Sequence, residues 1–306
     1  MKSIVTGGAG FIGSHLVDKL CELGHEVIVI DNESSTVHDS FWYNPTVKYN
    51  NNYYKYDIAD YDRIRPLFEG VDYVFHLAAE SRIQPAIDNP LLCFRTNSFG
   101  TAVILQCARE AGVKKVIYSS TSSAYGLKNK IPLTEDMPND CLNPYSVAKT
   151  SGEESCKMYT KLFGVKTVIL RYFNVYGPRE PLKGPYAPVV GLFLRQHKAG
   201  QPLTVVGDGN QRRDFTHVDD VVAANIAAMK QDLQIFSTVK YGQVFNVGTG
   251  INYSILELAK MITDTVKFIP ERPAEARETL ASIGKSQEYL GWHPRKNIKD
   301  YIKENL

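Results

Sequence analysis

Residues 2–13, KSIVTGGAGFIG, decide the fold: a short apolar run, then Gly7, Gly10 and Gly13 in GxxGxxG spacing, then the start of a helix-period stretch. An apolar run of this length suits a strand buried on both faces. The glycines permit a tight turn and close backbone approach to a pyrophosphate, which then sits at the positive end of a helix dipole that Phe11 and Ile12 open. Gly-rich turns are common, so the next strand carries the weight. EVIVI at 26–30 is that strand, and Asp31 ends it 18 positions past Gly13, with Asn32 following. A carboxylate there accepts hydrogen bonds from an adenosine ribose and repels a 2′-phosphate, so NAD is the expected cofactor rather than NADP.

Outward from that turn, short apolar runs recur at 72–75, 115–118 (KVIY) and 166–170 (KTVIL), separated by helix-period stretches at 11–23, about 60–69, about 91–111 and 145–163. Alternation of this kind implies right-handed βαβ units and an α/β fold, a doubly wound parallel Rossmann sheet. Asp57 and Ile58 are read as the end of a third strand. Asp57 is either an adenine contact or a helix cap. After about residue 172 the texture changes to a Pro/Gly-rich loop (GPREPLKGPYAP, 177–188) and shorter elements. We expect a first domain over 1–172 and a smaller α/β region over 173–306, with the chain free to cross between them.

Bulk composition excludes several classes. Net charge is +2 and no block of like charges occurs, so neither a nucleic-acid nor a membrane partner is expected. No run reaches the roughly 18 apolar residues that a span needs. Glycines interrupt the first apolar run and no cleavage-site pattern follows, so no leader is expected. Cys21, Cys93, Cys107, Cys141 and Cys156 are odd in number, scattered and without CxxC spacing. That pattern argues against a disulfide framework and against a metal site, and suits a reducing cytoplasm.

The chemistry begins with NPYSVAK, which places Tyr145 and Lys149 at i and i+4 on one helix face, with Pro144 helping to start the helix. Bringing a tyrosine from about 10 to about 7 needs roughly 4 kcal/mol. One unit charge at about 4 Å in an effective dielectric near 20 supplies that order of energy. Alone, YxxxK is an ordinary surface pair. Here YSSTSSAYG (118–126) follows a predicted strand and delivers hydroxyls to its C-terminal end, where open α/β sheets bind ligands.

TGGAGFIGSH, FHLAA, YSSTSSAYG, NPYSVAK, RYFNVYGPR and RRDFTHVDD occur in the order seen in extended short-chain dehydrogenases/reductases, and together they resemble the UDP-hexose 4-epimerases of that family. The resemblance covers nearly the whole chain and implies a UDP-sugar substrate, bound NAD and a homodimer built from the 145–163 and 91–111 helices. By it Tyr145 is the base, Lys149 holds the nicotinamide ribose and lowers the Tyr145 pKa, and Thr121, where Ser is common, bridges to the sugar 4-OH. It also implies that Leu77, Ala78, Ala79, Asn97, Ser119 and Tyr172 line the cofactor pocket, Asn97 being alternatively a helix-surface or capping residue. Asn174, Arg213 and Arg272 resemble diphosphate contacts, since guanidinium groups donate in parallel pairs to phosphate oxygens. Ser122 and Ser123 stand beside the sugar where 4,6-dehydratases carry an Asp-Glu pair, which argues against dehydration. His217 is read as structural. A non-catalytic dinucleotide sensor would commonly lack the Tyr or the Lys.

Two positions bear on the sugar. Thr279 falls where epimerases restricted to glucose and galactose carry a pocket-closing Tyr, and a small residue there leaves room for a 2-acetamido group; an ordinary loop residue is the alternative. RYFNVYGPREPLKGPYAPVV (171–190) likewise resembles UDP-N-acetylglucosamine 4-epimerases. Arg82 departs from the small or apolar residue usual near the sugar, and a nearby Arg leaves a UDP-glucuronate 4-epimerase open.

Overall fold

The computed structural model describes residues 1–34, 38, 40–181, 187–271 and 276–306. Strands β1 (Lys2–Thr6), β2 (Glu26–Ile30), β3 (Tyr53–Tyr54), β4 (Tyr73–His76), β5 (Lys115–Thr121) and β6 (Thr167–Tyr172) alternate with helices. Four short strands follow, β7 (Val175–Tyr176), β8 (Leu203–Val206), β9 (Arg212–Asp214) and β10 (Thr216–His217). The chain then returns with β11 (Gln243–Val247) before β12 (Asn252–Ser254) and β13 (Val266–Ile269). Seven of these form one sheet in the order β11-β6-β5-β4-β1-β2-β3. Every pairing in it is parallel. This is the doubly wound Rossmann arrangement that the alternation implied.

Alternate strand residues face opposite layers. Val5, Ile117, Val168 and Leu170 pack under helices Phe11–Glu22 and Val218–Lys230. Ile4, Val116, Tyr118 and Ile169 pack under helices Gly100–Glu110 and Pro144–Phe163. A separate core built on Phe193, Leu203, Val205, Phe215 and Leu258 serves the C-terminal elements. Strand order reverses between β1 and β4, which is where an open α/β sheet leaves its ligand crevice.

Two predicted helices differ from expectation. The stretch near 60–69 is a helix only over Tyr61–Ile64 and continues as a 3-10 turn over Arg65–Phe68, because Pro66 has no N–H to extend the ladder. The 91–111 stretch is Pro90–Phe94, then a π turn over Arg95–Phe99, then Gly100–Glu110. Within the π turn Asn97 turns inward and exchanges hydrogen bonds with the Glu80 main chain, accepting from its N–H (2.8 Å) and donating to its carbonyl (2.9 Å).

Helix Pro144–Phe163 starts from a capping box in which Asn143 and Ser146 each satisfy the other's main chain. Two turns in, it is bolted to the sheet by a buried ion pair. Arg171 on β6 donates through Nε (2.7 Å) and Nη2 (2.6 Å) to Glu153, to which Ser120 on β5 also donates. The two side chains are 2% and 0% exposed. Removing one partner leaves a bare buried charge, so Arg171→Met should cost about 3–5 kcal/mol of unfolding free energy in denaturant titration. The double variant Arg171→Met/Glu153→Leu should recover most of that loss.

Candidate active site

The site is assembled where four strands end. Gly7, at φ +69°, follows β1, and a Cβ there would stand 2.8 Å from the main-chain nitrogen of Ala78. The turn after β1 thereby touches the segment after β4. Thr6 Oγ1 closes the same seam by accepting from the N–H groups of Leu77 and Ala78, each at 3.2 Å. Gly13 has no room for any side chain, since its Cβ would lie 2.0 Å from Gly7 O. Gly10 caps helix Phe11–Glu22 with no side-chain partner, and no acidic residue occupies the first turn. The opening N–H groups of that helix are left for an anion. Asp31 ends β2, with its carboxylate accepting from Ala9 N (3.0 Å) and Glu33 N (2.8 Å), while burial pushes its pKa up.

A single cleft of about 480 Å³ runs from this turn to the end of β5. Its near wall contains Gly7, Gly10, Phe11, Ile12, Gly13, Asp31, Asn32, Ile58, Leu77, Ala78 and Ala79. Its middle holds Ser119, Thr121, Ser122, Ser123, Tyr145, Lys149 and Tyr172, and its far wall Asn174, Arg213 and Thr279. Two expected residues are not on its wall. Asp57 lies three positions beyond the two-residue β3 and pairs instead with Arg95 and the Ala59 N–H, a turn-capping role. Asn97 sits behind the wall, fixing Glu80 as described above. Arg272 lies outside the described residues.

The middle of the cleft is hydroxyl-rich and buried. Thr121 hydrogen-bonds the Tyr145 phenol. Ser119 Oγ and Tyr172 Oη lie 2.9 Å apart, and Asn225 donates to the same phenol at 2.7 Å. Burial pushes Tyr145 up to about 12, against the lowering effect of the Thr121 hydrogen bond, and pulls Lys149 down to about 8. The expected lowering of Tyr145 by Lys149 is therefore not met in this state: desolvation of the phenolate dominates, and the groups acting on the phenol are Thr121 and Cys93, not Lys149. Sequence reasoning missed Glu80, buried on the cleft wall, and Phe215 and Val190, which the C-terminal region folds into it. Glu80 had a local signal, lying directly after FHLAA; the other two arrive through long-range packing that no spacing announces.

A family model described as the NAD dependent epimerase/dehydratase family matches residues 3–248. The chain belongs to that family. It is an NAD-dependent enzyme, and the cleft fits the cofactor on its own terms, with an uncapped helix start, a glycine floor and a carboxylate at the end of β2. A putative UDP-glucose 4-epimerase of Methanocaldococcus jannaschii is 36% identical over 98% of this chain and 95% of its own length. A solved UDP-glucose 4-epimerase of Thermotoga maritima, with UDP-glucose, superposes with a TM-score of 0.89 at 36% identity, covering 99% of this chain and 96% of that one. A UDP-N-acetylglucosamine 4-epimerase of Methanobrevibacter ruminantium, in complex with UDP-N-acetylmuramic acid, gives the same TM-score at 32% identity with the same coverage. Among the described residues no helix is long and apolar enough to cross a membrane.

Proposed function

We propose that this enzyme inverts C4 of a UDP-hexose, interconverting UDP-GlcNAc and UDP-GalNAc and accepting UDP-glucose and UDP-galactose as a further pair. The observation that carries the reading is the meeting of Thr121, Tyr145 and Lys149 in one cleft with Asn174, Arg213 and Thr279. Residues 1–172 hold the cofactor and the reacting groups, and 173–306 supply most of the sugar-nucleotide contacts. The glycine turn, Asp31 and the Leu77–Ala79 wall hold NAD, which supplies a hydride acceptor and then donor for C4. Tyr145 takes the proton of the 4-OH as that carbon becomes a ketone and returns it to the same oxygen afterwards. Thr121, already bonded to the phenol, aligns the sugar oxygen with it. Lys149 makes the phenolate less costly by placing a cation on the same helix face. Arg213 and Asn174, with Arg272, hold the diphosphate, so the sugar turns about a fixed anchor and presents its other face. Ser122 and Ser123 offer hydroxyls and no carboxyl acid–base pair, which suits epimerisation and not loss of water.

The acetamido preference rests on Thr279. Its side chain is 6% exposed on the cleft wall, with its hydroxyl 3.4 Å from Asn174 Nδ2. A tyrosine there would be bulkier than the threonine that lines the cleft. One observation favours a second reading, a UDP-glucuronate: Arg82 brings a guanidinium to the wall of the same cleft. The five free cysteines suit a reducing compartment, and we place the activity in the cytoplasm. We also propose a homodimer, because Leu91 and Phe99 on one side and Val147, Met158 and Leu162 on helix Pro144–Phe163 leave an apolar face exposed.

Purified protein given UDP-sugars and no added cofactor should equilibrate UDP-GlcNAc with UDP-GalNAc, read by chromatographic separation of the C4 epimers. Tyr145→Phe should lower turnover by at least about 10²-fold while sugar-nucleotide binding largely survives. Turnover of UDP-glucuronate alone would transfer the assignment to the glucuronate reading. Thr279→Tyr should depress acetamido-sugar turnover and spare UDP-glucose and UDP-galactose; an unchanged ratio of the two would remove Thr279 from the pocket gate. Light scattering should give a dimer mass at micromolar concentration for the wild type and a monomer mass for Leu162→Glu, whereas a monomeric wild type would end the dimer proposal.

A further inference from the structure

Lys149 is 3% exposed, and among the described residues it forms no ion pair and no side-chain hydrogen bond. What it does touch is an aromatic face: its Nζ lies 4.4 Å from the centroid of Tyr118, one strand position before Ser119. The Glu153 carboxylate, one helical turn on, is already shared by Arg171 and Ser120. Tyr118 is itself fully buried and fixed on three sides. Its hydroxyl donates to the Lys149 carbonyl at 3.0 Å. Its ring lies 5.6 Å from the His76 imidazole, which burial and the Lys149 charge pull down to about 3, so no second cation competes for the ring. His76 in turn is held by Thr6 (2.7 Å) and Thr101 (2.9 Å), which ties this seat to the glycine turn. Gly152 makes the seat possible, because a Cβ there would stand 2.2 Å from the Tyr118 hydroxyl oxygen.

We propose that Tyr118 is a positioning residue for the reaction: its ring face holds the Lys149 ammonium in its charged form and its hydroxyl holds the Lys149 main chain. Strand β5 therefore sets where the lysine charge sits, in addition to the helical spacing from Tyr145. The inference rests on the role given to Lys149 above. A ring face attracts a desolvated ammonium through its quadrupole, so losing it makes the neutral amine more favourable. The titratable groups facing Lys149 are Cys93, Glu153 and Cys156 from the helices and His76 and Tyr118 from the sheet. Of these only Tyr118 offers a ring face to the ammonium.

The test compares Tyr118→Phe, which keeps the ring, with Tyr118→Leu, which removes it, reading kcat against pH, sugar KM and the NAD content of the purified protein. For Tyr118→Leu we expect kcat down by about tenfold or more, KM within about twofold, NAD content retained, and the alkaline limb of the kcat profile moved down by up to about one pH unit. Tyr118→Phe should keep the wild-type limb. An unmoved limb in Tyr118→Leu, or equal shifts in both variants, overturns the proposal. If Tyr118→Leu does not fold, Gly152→Ala, which drives the ring off its seat, is read by the same limb, and an unmoved limb there overturns it equally. Lys149→Met separates the two levels of argument: full turnover in that variant removes the role of Lys149 itself, whereas lost turnover beside an unmoved limb in Tyr118→Leu removes only this inference.

Discussion

Glu153 and Arg171 are two charges withdrawn from water, and the pairing that makes this tolerable is the constraint from which the rest of the site follows. A fork of two guanidinium donors on one carboxylate permits little rotation or sliding. The helix that carries Glu153 also carries Lys149 one turn earlier and Tyr145 two turns earlier. The strand that carries Arg171 ends in Tyr172, and Ser120, the third member of the cluster, precedes Thr121. Fixing that one contact thus fixes the depth of the phenol relative to the Thr121 hydroxyl. A well-packed apolar trio would hold the layers together as tightly, but apolar surfaces slide more readily than a two-pronged hydrogen bond, and a shift of about 1 Å in a reacting group is costly in rate.

Burial shapes the chemistry of the pair in a way that spacing alone misjudges. The sequence argument weighed one cation against a phenol and found the Coulomb energy sufficient. In the folded protein desolvation acts on both groups, lifting the phenol to about 12 and bringing the ammonium to about 8. Resting, the site holds a protonated phenol and an ammonium that forms no ion pair among the described residues, the Glu153 carboxylate one turn on being committed to Arg171. On the role proposed for Lys149, moving a proton off the phenol would set an anion on the same helix face as a buried cation, so ionisation of Tyr145 and retention of charge on Lys149 would favour each other. A group that keeps the lysine charged, such as the Tyr118 ring, therefore acts on the tyrosine without touching it.

What the sequence revealed and what it hid follow from the range of the interactions involved. The glycine turn, Asp31 and the Tyr145–Lys149 face are set by contacts within a few residues, so their spacing in the chain survives as spacing in the fold. The break in the 91–111 helix does not have that character. It depends on Asn97 finding the main chain of Glu80, seventeen positions away, and periodicity registers no such contact. Asp57 was misplaced because β3 has only two residues and the chain has left the sheet before it. Strand β11 went unrecognised because its neighbour β6 precedes it by some seventy residues, an interval that holds helices Val189–Lys198 and Val218–Lys230 among loops and short strands, so no simple strand–helix–strand alternation joins the two.

The C-terminal elements proposed to hold the sugar nucleotide are joined largely by such distant contacts, which raises the question of what holds their loops in place. Asp214, fully buried at the end of β9, answers it. Its carboxylate accepts from Thr249 N (2.8 Å), Thr249 Oγ1 (2.7 Å), Gly250 N (2.9 Å) and Ala281 N (3.1 Å). These donors belong to the loop after β11 and to the segment that carries Thr279. Thr279 N donates in turn to Arg212 O at 3.1 Å. Arg213 and Thr279 are sixty-six positions apart, yet one carboxylate gathers the segments on which both stand. The segments proposed to hold the diphosphate and to limit the sugar are thereby tied together through one buried carboxylate. That rigidity suits an epimerase, in which the substrate must turn over while the walls around it do not.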